Sequence, residues 1–455
     1  METTKKRYER PIIVKQHAGM MNKAGRRSDT APLPEIDGIA VSLLVERYGS
    51  PLFILSEKTI RQNQRRAYRI FKTRYPKVQF AWSYKTNYLD AVCRVFHQEG
   101  SWAEVVSEFE YDKARRLGVP GSKIIFNGPH KSTNALTTAL REGARLHVDH
   151  FDELYEIIEL TEKLNLTARV ALRINMDTGL HPPWDRFGFN YENGEAWQAL
   201  TRIVAAPTLK LLGLHTHIGT YIMSAEPYRI AAAKLAELAK SLRDQYHYVI
   251  EYIDVGGGFA SYNTLIGQYL PAEGIVPSLE QFADAIAAGL LEHAPPPADM
   301  PTLYLETGRA LIDDAGYLLT SVVANKRLAD GRRALIVDAG VNLLFTGFWY
   351  KHHVSPAQDH GSFFEDSALY GPLCMNIDLL REQVTLPPLQ RGDLLVIHRV
   401  GAYDLTQWMQ FITLRPNVVM IMDNGDVELI RRAETLDYLV ERERIPDRLR
   451  PTSGQ

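Results

Sequence analysis

The chain has 455 residues, of which 45% are hydrophobic and 23% are charged, so it is long enough for two domains with large cores and too apolar for extended disorder. Its net charge of −2 creates no long-range field that would attract nucleic acid or an anionic membrane. The two cysteines, Cys93 and Cys374, make a disulfide framework implausible and favour a reducing compartment, the cytoplasm.

A basic segment opens the chain, running from Lys5 to Arg27. No continuous apolar run follows it, so we interpret it as a solvated leader and not as a secretory signal. No stretch of the sequence is long enough in apolar residues to span a bilayer. We therefore expect neither a membrane nor a nucleic acid as a partner.

Strand-like and helical patterns alternate after the leader. A short apolar strand at 51–55 comes first, and amphipathic helices are predicted at 134–141, 151–163 and 228–242. Eight buried strands alternate with such helices, which predicts a closed parallel (β/α)8 barrel with catalytic groups at the carboxyl ends of its strands. The predicted strands are 78–84, 103–106, 124–127, 146–149, 170–175, 211–217, 250–255 and 303–306.

The pattern changes after residue 310. Short apolar strands at 334–337, 394–398 and 418–422 are separated by Gly, Pro and Asn, which predicts a mainly β second domain. The sequence thus divides into 1–57 (leader and N-terminal strand), 58–310 (barrel) and 311–455 (β domain). We expect the strand near Phe53 to pair back into the β domain.

Charged and glycine residues follow the predicted barrel strands. Lys85 ends the first strand, although a lone lysine is most often a surface charge. Gly256, Gly257 and Gly258 follow the seventh strand and Arg309 follows the eighth, where barrels place a phosphate site; a tight turn is the plainer interpretation of the glycines. Glu306 is suited to bind a protonated ring nitrogen, and an ion pair with Arg309 is the alternative.

Two histidines, His215 and His217, are predicted on the sixth strand with both rings on one side. Such a pair occurs in metal hydrolases, but the sequence offers no convincing third and fourth ligand, and we expect no metal. The flanking glycines suit a flat ring stacked on a histidine.

These motifs resemble those of the alanine-racemase-fold decarboxylases, the family of diaminopimelate, ornithine and arginine decarboxylases, over nearly the whole chain after residue 35. Tyr84-Lys85-Thr86-Asn87 resembles the family's lysine motif, and 213–220 its histidine motif. The glycine loop at 254–258 and Glu306-Thr307-Gly308-Arg309 resemble its phosphate and Glu-Pro-Gly-Arg motifs. Gly371-Pro372-Leu373-Cys374 and Gly401-Ala402-Tyr403 resemble its cysteine and tyrosine segments.

The resemblance implies a pyridoxal 5′-phosphate (PLP) carboxy-lyase that removes CO2 from an amino-acid-derived small molecule. Lys85 would hold PLP as a Schiff base, His217 would stack on its ring, and Glu306 would protonate its nitrogen. The phosphate would be held by Thr220 and six further residues, which are Gly256, Gly257, Gly258, Gly308, Arg309 and Tyr403. In this family the cysteine segment completes the partner's site, which implies a homodimer in which Cys374 reprotonates Cα.

Several positions depart from the family's pattern and bear on the substrate. Thr307 replaces a proline, the segment 346–350 lacks the arginine of an Arg-Pro-x-Leu-Tyr motif, and Met375 stands where an acidic residue binds a distal ammonium group. With Arg309, Tyr350, Lys351, His353, Met375 and Tyr403 as candidate substrate contacts, we expect an N-acylated, carboxylate-rich substrate. A citryl-diamino acid of the siderophore branch fits this expectation, and diaminopimelate is the alternative.

Other classes of protein stay open at this point. A racemase of the same fold would have an arginine near the pyridine nitrogen in place of Glu306. A regulatory homologue without activity would be expected to lose the cofactor-binding residues, which are all retained here. A substrate tethered to a carrier protein is a further possibility.

Overall fold

The computed structural model describes residues 31–361 and 363–450, so the basic leader at 5–27 lies outside the described residues. Eight parallel strands close into a barrel in which each strand pairs with the next along the chain and the eighth pairs with the first. The barrel strands are Val78–Ser83, Trp102–Val105, Ile124–Phe126, Arg145–Val148, Ala168–Asn175, Leu209–His215, Tyr252–Asp254 and Thr302–Leu305. All eight predicted strands are therefore confirmed.

Helices surround the barrel. In each, apolar residues recur at helical spacing, so one face of the helix is apolar and packs inward while the other is charged. Several begin at a serine whose hydroxyl accepts a backbone N–H of the first turn, as Ser56, Ser107, Ser132 and Ser278 do. The barrel helices are Glu57–Lys72, Asp90–Gln98, Glu108–Arg116, Thr133–Arg141, Phe151–Leu164, Glu195–Ala205, Glu226–Tyr246, Leu279–Leu291 and Arg309–Ile312. In the described ranges no helix is long and apolar enough to cross a membrane.

A mainly β domain follows the barrel, as the change of pattern predicted. The long strand Gly316–Arg327 lies at its centre and pairs with Arg333–Val337 and Leu394–His398. Its other strands are Val354–Pro356, Glu365–Tyr370, Leu379–Leu386, Val418–Ile421 and Val427–Arg431.

The N-terminal strand belongs to this sheet, as predicted. Leu52–Ser56 lies between Gly316–Arg327, to which it is antiparallel, and Val418–Ile421, to which it is parallel. All five of its residues are buried, so both faces of the strand lie in apolar cores. The chain therefore forms one strand of the β-domain sheet before it forms the barrel.

One predicted boundary is wrong in a way that matters for the site. The sixth strand ends at His215 and not at residue 217, so His217 lies in the loop that follows. The two histidines are consequently not successive side chains on one face of a strand.

Candidate active site

Polar side chains converge at the carboxyl ends of the barrel strands, because parallel strands all end on the same side. Each of the eight strands contributes one, either within its last residues or just after them. Seven of the eight are buried, and Lys85 is the partly exposed member. In strand order they are Lys85, Glu104, Asn127, His147, Arg173, His215, Asp254 and Glu306.

Lys85 and Glu104 form an ion pair in the mouth of the barrel. The Nζ of Lys85 lies 2.6 Å from Oε2 of Glu104, and the Glu104 side chain is fully buried while 39% of the Lys85 side chain is exposed. Burial lowers the pKa of Lys85, but the nearby Glu104, Tyr403 and Glu306 charges outweigh it, and the net shift is upward. The free amine is therefore held as an ammonium beside a base that can take its proton.

Asn127 connects the two carboxylates of the site. Its amide nitrogen donates to Oε1 of Glu104 at 3.0 Å and to Oε1 of Glu306 at 2.7 Å. Sequence reasoning missed both Glu104 and Asn127. A signal was present, since each is a polar residue at the carboxyl end of an apolar strand, the position where barrel enzymes place their chemistry.

Glu306 faces two buried histidines, His147 and His215. Oε2 of Glu306 lies 3.4 Å from Nε2 of His215, and Oε1 lies 3.9 Å from Nδ1 of His147. One ligand atom from each of the three residues falls within 4.8 Å of the others, a set that a metal ion could use. The sequence paired His215 with His217, whereas the structure brings His215 together with His147 and Glu306; the expectation that no metal is bound stays a prediction.

The glycine loop packs against the eighth strand. Gly256 and Gly258 have φ values of +67° and +90°, which side chains with a Cβ rarely adopt. The N–H of Gly256 donates to Asp254 at 2.8 Å, and that of Gly257 donates to Nδ1 of His217 at 3.3 Å. Among the described residues no acceptor takes the N–H of Gly258, so this is the glycine amide best placed to bind a phosphate.

His217 is held as a neutral ring. Burial, followed by the charges of Arg173 and Lys85, lowers the pKa of His217 to about 3. Because its Nδ1 accepts from Gly257, the ring proton lies on Nε2. Trp184 meets the ring edge-on with centroids 5.4 Å apart. Gly257 and Trp184 therefore fix the orientation of the flat, uncharged His217 ring from two sides.

Arg309 lies in a cage of three aromatic rings. Its guanidinium carbon is 4.7 Å from the ring centroid of Tyr350, 4.8 Å from that of Tyr403 and 5.8 Å from that of Tyr221. Nη1 is 3.3 Å from Asp313, whereas the buried Nε has no hydrogen-bond partner among the described residues. This arrangement leaves a buried cation with an unused donor.

Tyr403 joins the β domain to the lysine segment. Its N–H donates to the carbonyl of Thr86 at 2.8 Å, and its hydroxyl lies 3.5 Å from the Thr86 hydroxyl. Gly308 packs so closely on Thr86 that a Cβ at that position would collide with the threonine hydroxyl. Lys85, Gly308, Arg309 and Tyr403 are therefore parts of one rigid junction.

The remaining predicted residues are more exposed than most of the residues described above. Cys374 is exposed, Met375 is partly buried, Thr220 is exposed, and Lys351 is exposed with Nζ 3.4 Å from the Gln268 carbonyl. The sequence Lys351-His352-His353 is basic in composition, but His352 is buried and its Nε2 lies 2.8 Å from the Thr346 hydroxyl. Burial lowers the pKa of His352 to about 3, so it is neutral. His353 bonds the Ser355 hydroxyl at 3.1 Å.

The donors present fit PLP. An unused buried guanidinium N–H on Arg309 and the free Gly258 amide suit a phosphate, and Glu306 suits a protonated pyridine nitrogen. Lys85 supplies the amine for the aldehyde, and His217 supplies a flat neutral ring. The collision that a Cβ on Gly308 would cause shows that this cradle is already closely packed.

A (β/α)8 barrel with this cradle defines a PLP enzyme of the alanine-racemase fold. Residues 61–313, more than half of the chain, match the family model described as "Pyridoxal-dependent decarboxylase, pyridoxal binding domain". The chain therefore belongs to the pyridoxal-dependent decarboxylases, and it is a carboxy-lyase with PLP as its cofactor.

Curated relatives align over most of the chain. The diaminopimelate decarboxylase of Aquifex aeolicus is 29% identical over 416 residues, covering 89% of this chain and 94% of its own length. That of Methanocaldococcus jannaschii is 30% identical over 432 residues, covering 91% and 95%. The crystal structure of diaminopimelate decarboxylase from M. jannaschii superposes with a TM-score of 0.84 at 29% identity, covering 91% of this chain and 96% of that one. These comparisons do not confirm the siderophore branch.

Proposed function

We propose that this chain releases CO2 from Cα of a diamino dicarboxylic acid of the diaminopimelate type, with Lys85 as the residue that holds PLP. The observation that carries the catalytic part is the continuous hydrogen-bonded line from Lys85 through Glu104 and Asn127 to Glu306. This line connects the amine of Lys85 to the carboxylate of Glu306, which is suited to bind the nitrogen of the pyridine ring. The substrate part is supported by the names of the relatives, which span nearly the whole chain.

Bound PLP supplies an electron sink for the electrons of the departing carboxylate. The residues of the chain prepare this chemistry. Glu104 fixes the position of the Lys85 amine, since its oxygen is 2.6 Å away. Glu306 would hold a proton at the pyridine nitrogen of bound PLP, and His217, which burial keeps neutral, would support the face of its ring.

The proton that returns to Cα is assigned to Cys374 of a partner subunit. Cys374 is exposed and lies on a turn in which Asp378 accepts the N–H groups of Val341 at 2.8 Å and Leu373 at 2.7 Å. An exposed thiol on such an ordered turn is available to a second copy of the chain. The proposal therefore includes a homodimer with shared sites.

A second candidate substrate is an N-acylated, carboxylate-rich amino acid such as citryl-diaminopropionate. Two observations favour it. Met375 offers no charge to a distal ammonium group. Thr346, at the position of the family's arginine, is fully buried and engaged with Asp404 and His352, so it does not replace the arginine's charge.

Released CO2 and product mass distinguish these candidates. The PLP-loaded protein is incubated separately with diaminopimelate, ornithine, lysine and citryl-diaminopropionate, with a Lys85→Ala variant as the control. Release from diaminopimelate with formation of lysine is the expected result. Release from the citryl conjugate alone would replace the first candidate by the second, and no release from any of the four would contradict both.

A further inference from the structure

Two buried histidines, His147 and His215, have no assigned part in the chemistry proposed above. His147 lies on the fourth barrel strand and His215 ends the sixth, and their exposures are 0% and 1%. Their ring centroids are 4.6 Å apart, directly beside Glu306. Nδ1 of His147 and both ring nitrogens of His215 have no hydrogen-bond partner among the described residues. A buried polar atom without a partner costs stability, so this arrangement requires a reason.

The orientation of His147 is set from behind. The hydroxyl of Tyr252 lies 2.9 Å from Nε2 of His147. Because Nδ1 on the other side of the ring faces a carboxylate, we assign the ring proton to Nδ1, and the Tyr252 hydroxyl then donates to Nε2. The carboxylate atom that Nδ1 faces is Oε1 of Glu306, at 3.9 Å.

His215 approaches the other oxygen of the same carboxylate. Its Nε2 lies 3.4 Å from Oε2 of Glu306, a distance that a small rotation of either group converts into a hydrogen bond. Burial lowers the pKa of both histidines, and each is further lowered by a neighbouring cationic or imidazole group. They therefore face Glu306 as neutral N–H donors and bring no positive charge of their own.

We propose that His147 and His215 are positioning residues that orient the Glu306 carboxylate, so that it can keep the pyridine nitrogen of PLP protonated. Neutral donors fix the carboxylate without forming an ion pair with it. The Arg173 and Lys85 cations also lie near Glu306, and so does the buried Asp254 carboxyl, whose pKa is raised by burial and by Glu306. Asn127 supplies a third donor at 2.7 Å. This inference rests on the proposed role of Glu306 and extends it to the layer beneath.

The test measures the protonation of the ring nitrogen directly. PLP labelled with ¹⁵N is bound to each variant, and the chemical shift of the ring nitrogen is recorded by NMR. His215→Leu and His147→Leu are expected to move the signal toward that of unprotonated pyridine and to lower kcat by at least about tenfold, with KM changed much less. The conservative variants His215→Gln and His147→Asn, which keep a donor near Nε2 and Nδ1 respectively, are expected to retain the wild-type shift.

The Glu306→Gln variant separates the role of the two histidines from the proposed role of Glu306 itself. Glu306→Gln must shift the signal if Glu306 has its proposed role; if it does not, the proposed function fails at that residue. If Glu306→Gln shifts the signal and neither leucine variant does, the positioning role alone is wrong. His398→Leu removes a half-buried histidine of low pKa from the β domain, where it bonds Ser355, and should leave the signal unchanged.

Two further outcomes would overturn the inference. If the leucine variants do not fold, His215→Asn is compared with His215→Gln, because the shorter amide does not reach Oε2; equal ¹⁵N shifts in the two would contradict the role. Stoichiometric binding of Zn²⁺ to the PLP-free protein, lost in both His147→Asn and His215→Gln, would assign the cluster to a metal instead.

Discussion

Asn127 provides a sensitive test of the hydrogen-bonded line across the barrel mouth. Replacing it by leucine keeps the number and branching of side-chain heavy atoms and removes two hydrogen bonds, to Glu104 at 3.0 Å and to Glu306 at 2.7 Å. Both acceptors are buried carboxylates, and a hydrogen bond to a charged group contributes about 1.5–3 kcal/mol. We therefore expect Asn127→Leu to lower the free energy of unfolding by about 3–6 kcal/mol, the sum for two such bonds.

The matched control for Asn127→Leu is Asn342→Leu in the β domain. Asn342 is also buried, and its amide also makes two bonds, at 3.0 and 3.4 Å, but its acceptors are the neutral Thr413 hydroxyl and Phe411 carbonyl. Bonds between neutral groups contribute about 0.5–1.5 kcal/mol each, so its loss should be about half as large or less. Urea unfolding of the PLP-free proteins measures both. Equal losses would refute the idea that Asn127 holds two ionised groups.

Three further predictions follow. Lys85→Ala and Cys374→Ala should each be inactive, yet an equal mixture should recover about one quarter of wild-type activity, because half of the dimers are heterodimers and each heterodimer carries one intact site of its two; no recovery would contradict shared sites. Met375→Glu should lower KM for substrates with a distal ammonium by about tenfold, and an unchanged KM would show that this position does not contact the substrate. Burial raises the pKa of Asp404 to about 8 although Thr346 bonds lower it. Asp404 therefore keeps its proton in the folded protein up to about pH 8, whereas it loses the proton near pH 4 in the unfolded protein. The free energy of unfolding of the wild type should fall relative to that of Asp404→Asn between about pH 4 and pH 8, by at most about 1.4 kcal/mol per pH unit. A constant difference in denaturant unfolding across that range would contradict the shift.

The barrel strands could be predicted because each is marked by a local pattern in the sequence. Each strand is a short apolar run bounded by polar or glycine residues, so 124–127 and 303–306 were located within one or two residues of Ile124–Phe126 and Thr302–Leu305. The N-terminal strand was likewise expected in the β domain, since nothing near residue 53 offered a partner. The end of the sixth strand was missed because the apolar pattern continues through Ile218, while the backbone leaves the sheet after His215.

The site was only partly predictable, because much of it depends on contacts between distant strands. Lys85, Glu306 and Arg309 stand in recognisable motifs, whereas Glu104, Asn127 and His147 are single polar residues in ordinary strands. Their importance comes from the closure of the barrel, which brings Asn127 to within 2.7 Å of a residue 179 positions later in the chain. His352 shows the converse, because a basic-looking sequence gave a histidine that burial keeps neutral.

Trapping the lysine that binds PLP tests the central proposal most directly. The PLP-loaded protein is reduced with borohydride, digested, and analysed by mass spectrometry to locate the phosphopyridoxyl group. The account predicts one modified peptide, carrying the group on Lys85, and no such peptide from Lys85→Ala. Modification of another lysine in the wild-type protein, with Lys85 left free, would contradict it.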